Sequence, residues 1–138
     1  MARMGAAIVI QTRKLTKTYG GTNSVHELDL QVKEGEIYGF LGPNGAGKTT
    51  TLKMLLGLVK PTAGTIHLFG ESLSRNRSAI LKRTGSLIES PSYYGHLTGL
   101  ENLKVVQRLR DVPDRNVEEA LRIVRLEKHR DKKAEAYS

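Results

Sequence analysis

The chain has 138 residues, a formal net charge of +8 and no cysteine. The length suits one ordinary domain, and 38% hydrophobic against 26% charged residues marks a globular chain rather than a disordered one. The missing cysteine excludes disulfides and thiolate-bound zinc and fits a reducing setting, while no apolar run approaches a transmembrane length.

The run from Gly5 to Ile10 is too short for the apolar region of a signal peptide and reads as an opening strand. Residues 7–19 read as one or two strands, led by the β-branched Ile8-Val9-Ile10, and Gly20-Gly21-Thr22-Asn23 as a turn or short loop. Leu28, Leu30 and Val32 alternate as in a half-buried strand that also takes in Val25. Glu34-Gly35 turns the chain into Ile37-Tyr38-Gly39-Phe40-Leu41, which reads as a buried strand.

The next stretch, Gly42-Pro43-Asn44-Gly45-Ala46-Gly47-Lys48-Thr49, fits the phosphate-loop pattern G-x-x-x-x-G-K-[ST]. Its glycines allow backbone conformations closed to residues with a Cβ, so successive N–H groups can point inward as an anion nest. A helix starting near Lys48 adds its positive dipole end. Lys48 supplies a point charge for the β- and γ-phosphates of a nucleotide, and the Thr49 hydroxyl a ligand for Mg²⁺. The apolar run from Leu52 to Leu58 supplies the helix that this motif requires.

Pro61 stops that helix and Gly64 permits a turn. Thr65 to Phe69 alternates, with Ile66 and Leu68 on one face; Ser78 to Arg83 predicts a short helix, and Gly85-Ser86-Leu87-Ile88 a short strand running into Glu89. From Ser90 to Leu97 the chain is loop-like. Thr98 and Glu101 form the pattern of a capping box, with Leu103, Val106 and Leu109 on one face of the helix that follows. After Pro113-Asp114, residues Val117, Ala120, Leu121 and Val124 predict a second amphipathic helix, with Glu118, Arg122 and Arg125 facing away. The polar tail begins with Lys128 and has the composition of a further helix start. Lys128, Arg130, Lys132 and Lys133 crowd this end without interleaved aromatics, so they read as a solvated face and no nucleic acid is expected as partner. His26, His67, His96 and His129 share no metal-ligand spacing.

Leu15-Thr16-Lys17-Thr18-Tyr19-Gly20, Val32-Lys33-Glu34-Gly35-Glu36-Ile37, the loop from Gly42 to Thr50, and Leu56-Gly57-Leu58-Val59-Lys60-Pro61-Thr62-Ala63-Gly64 together resemble the ATP-binding subunit of ATP-binding cassette (ABC) transporters. The resemblance runs in one order over nearly the whole chain. Around Ser86 to Pro91 it is to exporters that give self-protection against bacitracin and lantibiotics. It implies an α/β P-loop NTPase fold, the N-terminal part of an ABC cassette and incomplete. Residues 1–89 would be a nucleotide-binding core with an antiparallel β subdomain and the P-loop. Residues 90–138 would be the segment that follows the family's glutamine position and the start of an α-helical subdomain.

The resemblance also implies roles. Tyr19 matches the aromatic residue that stacks on adenine, and Gly42, Pro43, Asn44, Gly45, Ala46, Gly47, Lys48, Thr49 and Thr50 match the loop that holds ATP and Mg²⁺. Glu89 stands where the family has a glutamine at the Mg²⁺ site; its carboxylate can still ligate the ion but adds negative charge near the γ-phosphate. Lys48 and Glu89 are the catalytic candidates. Tyr93, Tyr94 and Leu97 fall where the family grips a transmembrane permease subunit at the cytoplasmic face of the membrane, and a second ATP-binding subunit is the other expected partner. Ser138 falls at the serine of the family's signature motif, so the sequence reads as the N-terminal part of a longer ATPase subunit, inactive by itself and prone to self-association through an uncovered strand edge. The function implied is ATP-driven export, with antimicrobial peptides as the subtype. A soluble ABC-type ATPase, or a nucleotide-binding fragment without activity, is the alternative.

Overall fold

A computed structural model describes residues 6–88 and 93–137. The chain divides into two compact units, Met1–Glu89 and Ser90–Ser138.

The first unit is built on a four-stranded antiparallel sheet of order β2-β1-β3-β4, with β1 Ile8–Tyr19, β2 Thr22–Lys33, β3 Ala63–Leu68 and β4 Glu71–Ser72. Strands β1 and β2 form one long hairpin, paired from Ile8 opposite Lys33 to Tyr19 opposite Thr22. Four register shifts interrupt the pairing, two with the extra residue on β1 and two with it on β2. Lys14 in β1 (φ 45°) and Glu27 in β2 (φ 44°) both take the left-handed conformation at the register shifts on either side of the Leu15–Leu28 pair. Side chains hold the bulges: the Lys14 N–H donates to Asp29 Oδ1 at 2.6 Å, and the Glu27 N–H to Thr16 Oγ1 at 3.0 Å. Strand β3 reaches the Lys14 bulge through Gly64, where a Cβ would lie 2.3 Å from the Lys14 carbonyl oxygen.

Helices α1, Lys48–Leu55, and α2, Leu73–Lys82, complete this unit. Leu15, Val25, Ile66 and Leu68 from the sheet pack with Met54 and Leu55 of α1 and with Leu73 and Ile80 of α2. Of these, Leu15, Met54 and Ile80 are wholly buried. Helix α2 is longer than Ser78 to Arg83, the span its apolar pattern predicts; a kink at Asn76 (φ −122°, ψ 33°) lets its polar first turn join the apolar second half.

Two predicted strands do not form. Residues 36–41 form no regular element, with Tyr38 and Phe40 lining a cavity of about 270 Å³ against Ile10, Leu30, Val32 and Leu55. Ile37 and Leu41 point the other way and are fully exposed, at 102% and 93%. The alternation of a strand is present, but among the described residues no neighbouring strand pairs with it, and an apolar run alone cannot supply the ladder hydrogen bonds. Residues 85–88 are likewise unpaired, with Leu87 72% exposed.

The second unit holds α3, Gly99–Arg110, and α4, Arg115–Ile123, followed by two short 3₁₀ turns, Glu127–His129 and Ala134–Ala136. The capping box forms as its pattern predicts: the Glu101 N–H donates to Thr98 Oγ1 at 3.1 Å and the Thr98 N–H to Glu101 Oε2 at 2.7 Å. The backbone of the last turns closes over the start of α3, with Gly99 N–H donating to the Lys132 carbonyl and Leu100 N–H to that of Arg130. Val117 and Leu121 of α4 are buried as their spacing predicts. Val106, Leu109 and Val124 are instead exposed, so the apolar stripe of α3 is covered only around Leu103.

Candidate functional site

Strand β2 and helix α1 meet at the glycine loop. Gly45 (φ 84°) and Gly47 (φ 81°) turn the loop through the left-handed region, and Gly47 is the N-cap of α1. At Gly47 the demand is double, because a Cβ there would lie 2.2 Å from the Ser24 carbonyl oxygen and 2.9 Å from Val25 Cγ2. The loop therefore rests directly on the backbone of β2.

Helix α1 begins without a side-chain cap and without an acidic residue in its first turn. Its leading N–H groups and positive dipole end are left for an anion. Near that end the Thr51 side chain is buried, and its hydroxyl is satisfied by donating to the Gly47 carbonyl at 2.9 Å. The Thr50 hydroxyl accepts from Ser24 Oγ at 3.1 Å, and Thr49 is exposed. Lys48 curls over the loop, its Nζ donating to the carbonyl oxygens of Gly42 and Pro43 at 2.5 and 2.7 Å. A positive charge, helix N–H groups without a side-chain cap and the exposed Thr49 thus stand on consecutive residues, a donor set that suits a phosphate chain with a bound hard cation.

Tyr19 ends β1, opposite Thr22, two residues before the Ser24 contact with Gly47. Its ring is 51% exposed. The Lys17 ammonium sits 4.9 Å from the ring centroid and is itself held by the Lys60 carbonyl at 2.9 Å. One face is thus backed by a cation. Glu89 and Ser138 lie outside the described residues.

In the second unit Tyr93 and Tyr94 expose more than half of their surface. Their loop is ordered by Asn102, which accepts from the Tyr94 N–H at 2.8 Å and donates to the carbonyls of Tyr94 and Thr98 at 3.0 Å each. Tyr94 also meets His96 edge to face at 6.2 Å. Leu97 is half-buried in the same loop. The Glu101 carboxyl is held below the usual glutamate range, first by the Thr98 N–H and then by the Thr98 hydroxyl. Glu118 is held low chiefly by hydrogen bonds from Arg130, which reach its two oxygens at 2.8 and 2.9 Å.

The sequence pattern does not single out Ser24, Thr51 or Asn102. Thr51 left one signal, a run of three threonines opening a helix, a place where poor helix formers need a reason to stand. Ser24 and Asn102 left none: the partner of Ser24 is set by packing between β2 and α1, and those of Asn102 by how the loop before α3 folds back on it.

The family model described as ABC transporter matches residues 25–138. The chain is 50% identical over 126 residues to the bacitracin transport ATP-binding protein BcrA of Bacillus licheniformis, covering 91% of this chain and 41% of that protein. It is 47% identical over 131 residues to the BcrA of Enterococcus faecalis, covering 94% and 42%. The solved structure of an ATP binding subunit of an ABC transporter superposes with a TM-score of 0.82 at 27% identity, covering 94% of this chain and 56% of that one. The chain thus spans about two fifths of the length of these curated relatives. A phosphate loop seated on an antiparallel hairpin and a family match over most of the residues lead to one conclusion: the chain belongs to the ABC transporter family.

Proposed function

We propose that this chain is part of the ATP-binding subunit of an ABC exporter, one that couples ATP binding and hydrolysis to transport and gives resistance to antimicrobial peptides. The observation that carries the reading is the open N-terminus of α1 under a glycine loop with Lys48 at its rim. The identity to two bacitracin transport ATP-binding proteins supports the subtype.

In this reading Gly42 to Thr50 wrap the phosphates of ATP and Tyr19 stacks on the base. Lys48 exchanges the carbonyls of Gly42 and Pro43 for phosphate oxygens, where its charge offsets what develops in phosphoryl transfer. Thr49 would hold Mg²⁺, with Glu89 as a second oxygen ligand. One or two protein oxygens are what this ion takes when phosphates and water supply the rest. Held there, the ion would supply positive charge to offset that of the phosphates. Hydrolysis itself belongs to the whole subunit paired with a second ATP-binding subunit; the 138-residue chain alone supplies part of the phosphate clamp and does not turn over.

Tyr93, Tyr94 and Leu97 present the surface for a transmembrane permease, which would hold the protein at the cytoplasmic face of the membrane. Exposed aromatic rings on a loop braced by Asn102 are suitable anchors for such an interface. Among the described residues no helix is long and apolar enough to cross a membrane.

The test is Mg²⁺-dependent phosphate release by the full-length protein with its copurified membrane subunit, and bacitracin tolerance of cells that carry both. Activity lost in Lys48→Ala supports the reading. Phosphate release by the 138-residue chain alone would contradict the assignment of turnover to the paired subunits.

A further inference from the structure

We propose that Ser24 is a positioning residue for the phosphate loop: its hydroxyl orients that of Thr50 while its carbonyl seats Gly47. The inference rests on the nucleotide-binding reading above and adds a residue from outside the loop motif.

Ser24 touches the loop twice. Its Oγ donates to Thr50 Oγ1 at 3.1 Å, and its carbonyl oxygen lies where a Cβ on Gly47 would be 2.2 Å away. A hydroxyl has one proton to donate and two positions at which to accept. A helical threonine commonly spends its proton on the carbonyl four residues back, as Thr51 does on Gly47. Thr50 instead receives a hydrogen bond from β2. That fills one accepting position and turns the Thr50 proton away from Ser24, free for an anion at the helix N-terminus.

The same strand segment carries the end of the hairpin. Thr22 pairs with Tyr19 and Asn23 with Thr18, whose Oγ1 donates to Asn23 Oδ1 at 2.7 Å. Ser24 follows directly. It therefore ties the strand end that presents Tyr19 to the turn that presents Thr50, and a loss at Ser24 lets the hydroxyl of Thr50 rotate at the phosphate end.

The test is calorimetric titration of ATP and ADP into full-length protein carrying Ser24→Ala, Ser24→Thr, Ser24→Val, Thr50→Ala, and Ser24→Ala with Thr50→Ala. Thr and Val are close in shape and suit a strand, so the pair isolates the hydroxyl. Expected are nucleotide affinities about fivefold weaker in Ser24→Ala and Ser24→Val, the size of one hydrogen bond's net contribution. Ser24→Thr keeps wild-type affinity, and Ser24→Ala adds nothing once Thr50 is alanine. Wild-type affinity in Ser24→Val, or independent losses at the two positions, overturns the proposal while leaving the nucleotide site standing. So does a lowered thermal midpoint with unchanged affinity. A wild-type protein that binds neither nucleotide overturns both.

Discussion

Lys48 is satisfied by its own loop: its ammonium donates to the Gly42 carbonyl at 2.5 Å and to that of Pro43 at 2.7 Å. The lysine that is to meet a phosphate thus occupies the rim of the cradle, bonded to neutral acceptors. Phosphate oxygens are charged acceptors and bond an ammonium more strongly than carbonyls do, so the exchange favours the ligand. Lys48→Ala removes that exchange. A hydrogen bond to a charged group contributes about 1.5–3 kcal/mol, so ATP affinity should fall by roughly tenfold to a hundredfold. The fold should be little changed, because the ammonium bonds only to exposed loop carbonyls. Calorimetry and a thermal melt on the same variant check both halves.

Tyr19 offers a second, separable test. The ring is half exposed and backed by Lys17 on one side. If it stacks on the base, Tyr19→Ala should weaken ATP binding by about 1–3 kcal/mol. Tripolyphosphate, which has no base, should bind as before, and Tyr19→Phe should behave as wild type. Lys17→Ala should show a smaller loss than Tyr19→Ala, since it removes only the backing of the ring. Competition titrations with the two ligands decide it; equal losses for both would assign Tyr19 to packing.

What could be read without coordinates follows from how local each interaction is. The loop from Gly42 to Thr49 was legible because its chemistry lies in consecutive residues, and the Thr98–Glu101 box because its partners stand three apart. Ile37 to Leu41 has the apolar run of a buried strand but does not form one, because composition is local and pairing is not. The left-handed Lys14 and Glu27 carry no composition signal; their conformation comes from the offset between two long strands. The first turn of α2 was hidden by Ser74-Arg75-Asn76-Arg77, a polar run that no buried face marks. The role of Ser24 depends on a partner from α1, and that of Asn102 on the path of the loop before its own helix, and neither path nor packing is written in neighbouring residues.

Gly64 is the position where β3 leans on the bulge of β1. It has φ +86°, and a Cβ would lie 2.3 Å from the Lys14 oxygen and 2.6 Å from that of Arg13. Both are backbone atoms of a braced strand, so they cannot move aside as a side chain would. Gly64→Ala should cost about 3 kcal/mol, from overpacking together with the left-handed conformation. Gly70 has a similar φ of +79° but open space around it, and its alanine variant should cost only about 1 kcal/mol. Urea unfolding of the two variants in the full-length protein separates contact from conformation; equal midpoints would show that the close approach adds nothing.

The helical unit should weaken in acid for a reason that two residues carry. Glu101 and Glu118 are both held below the usual glutamate range, by Thr98 and by Arg130 respectively. A carboxyl lowered by folding stabilises the fold fully above the unfolded glutamate range, and that stabilisation disappears as pH falls through the lowered folded value. Both groups are exposed, so the acid limb should be shallow rather than abrupt. Glu101→Gln keeps a capping-box side chain but removes the titration. It should lose a little stability at neutral pH and then change less than wild type on acidification, so the two curves converge or cross. Glu118→Gln should flatten the same limb by weakening the pair with Arg130. Circular dichroism of α-helical content followed downward from neutral pH tests this. An acid limb unchanged in both variants would place the acid sensitivity in other groups.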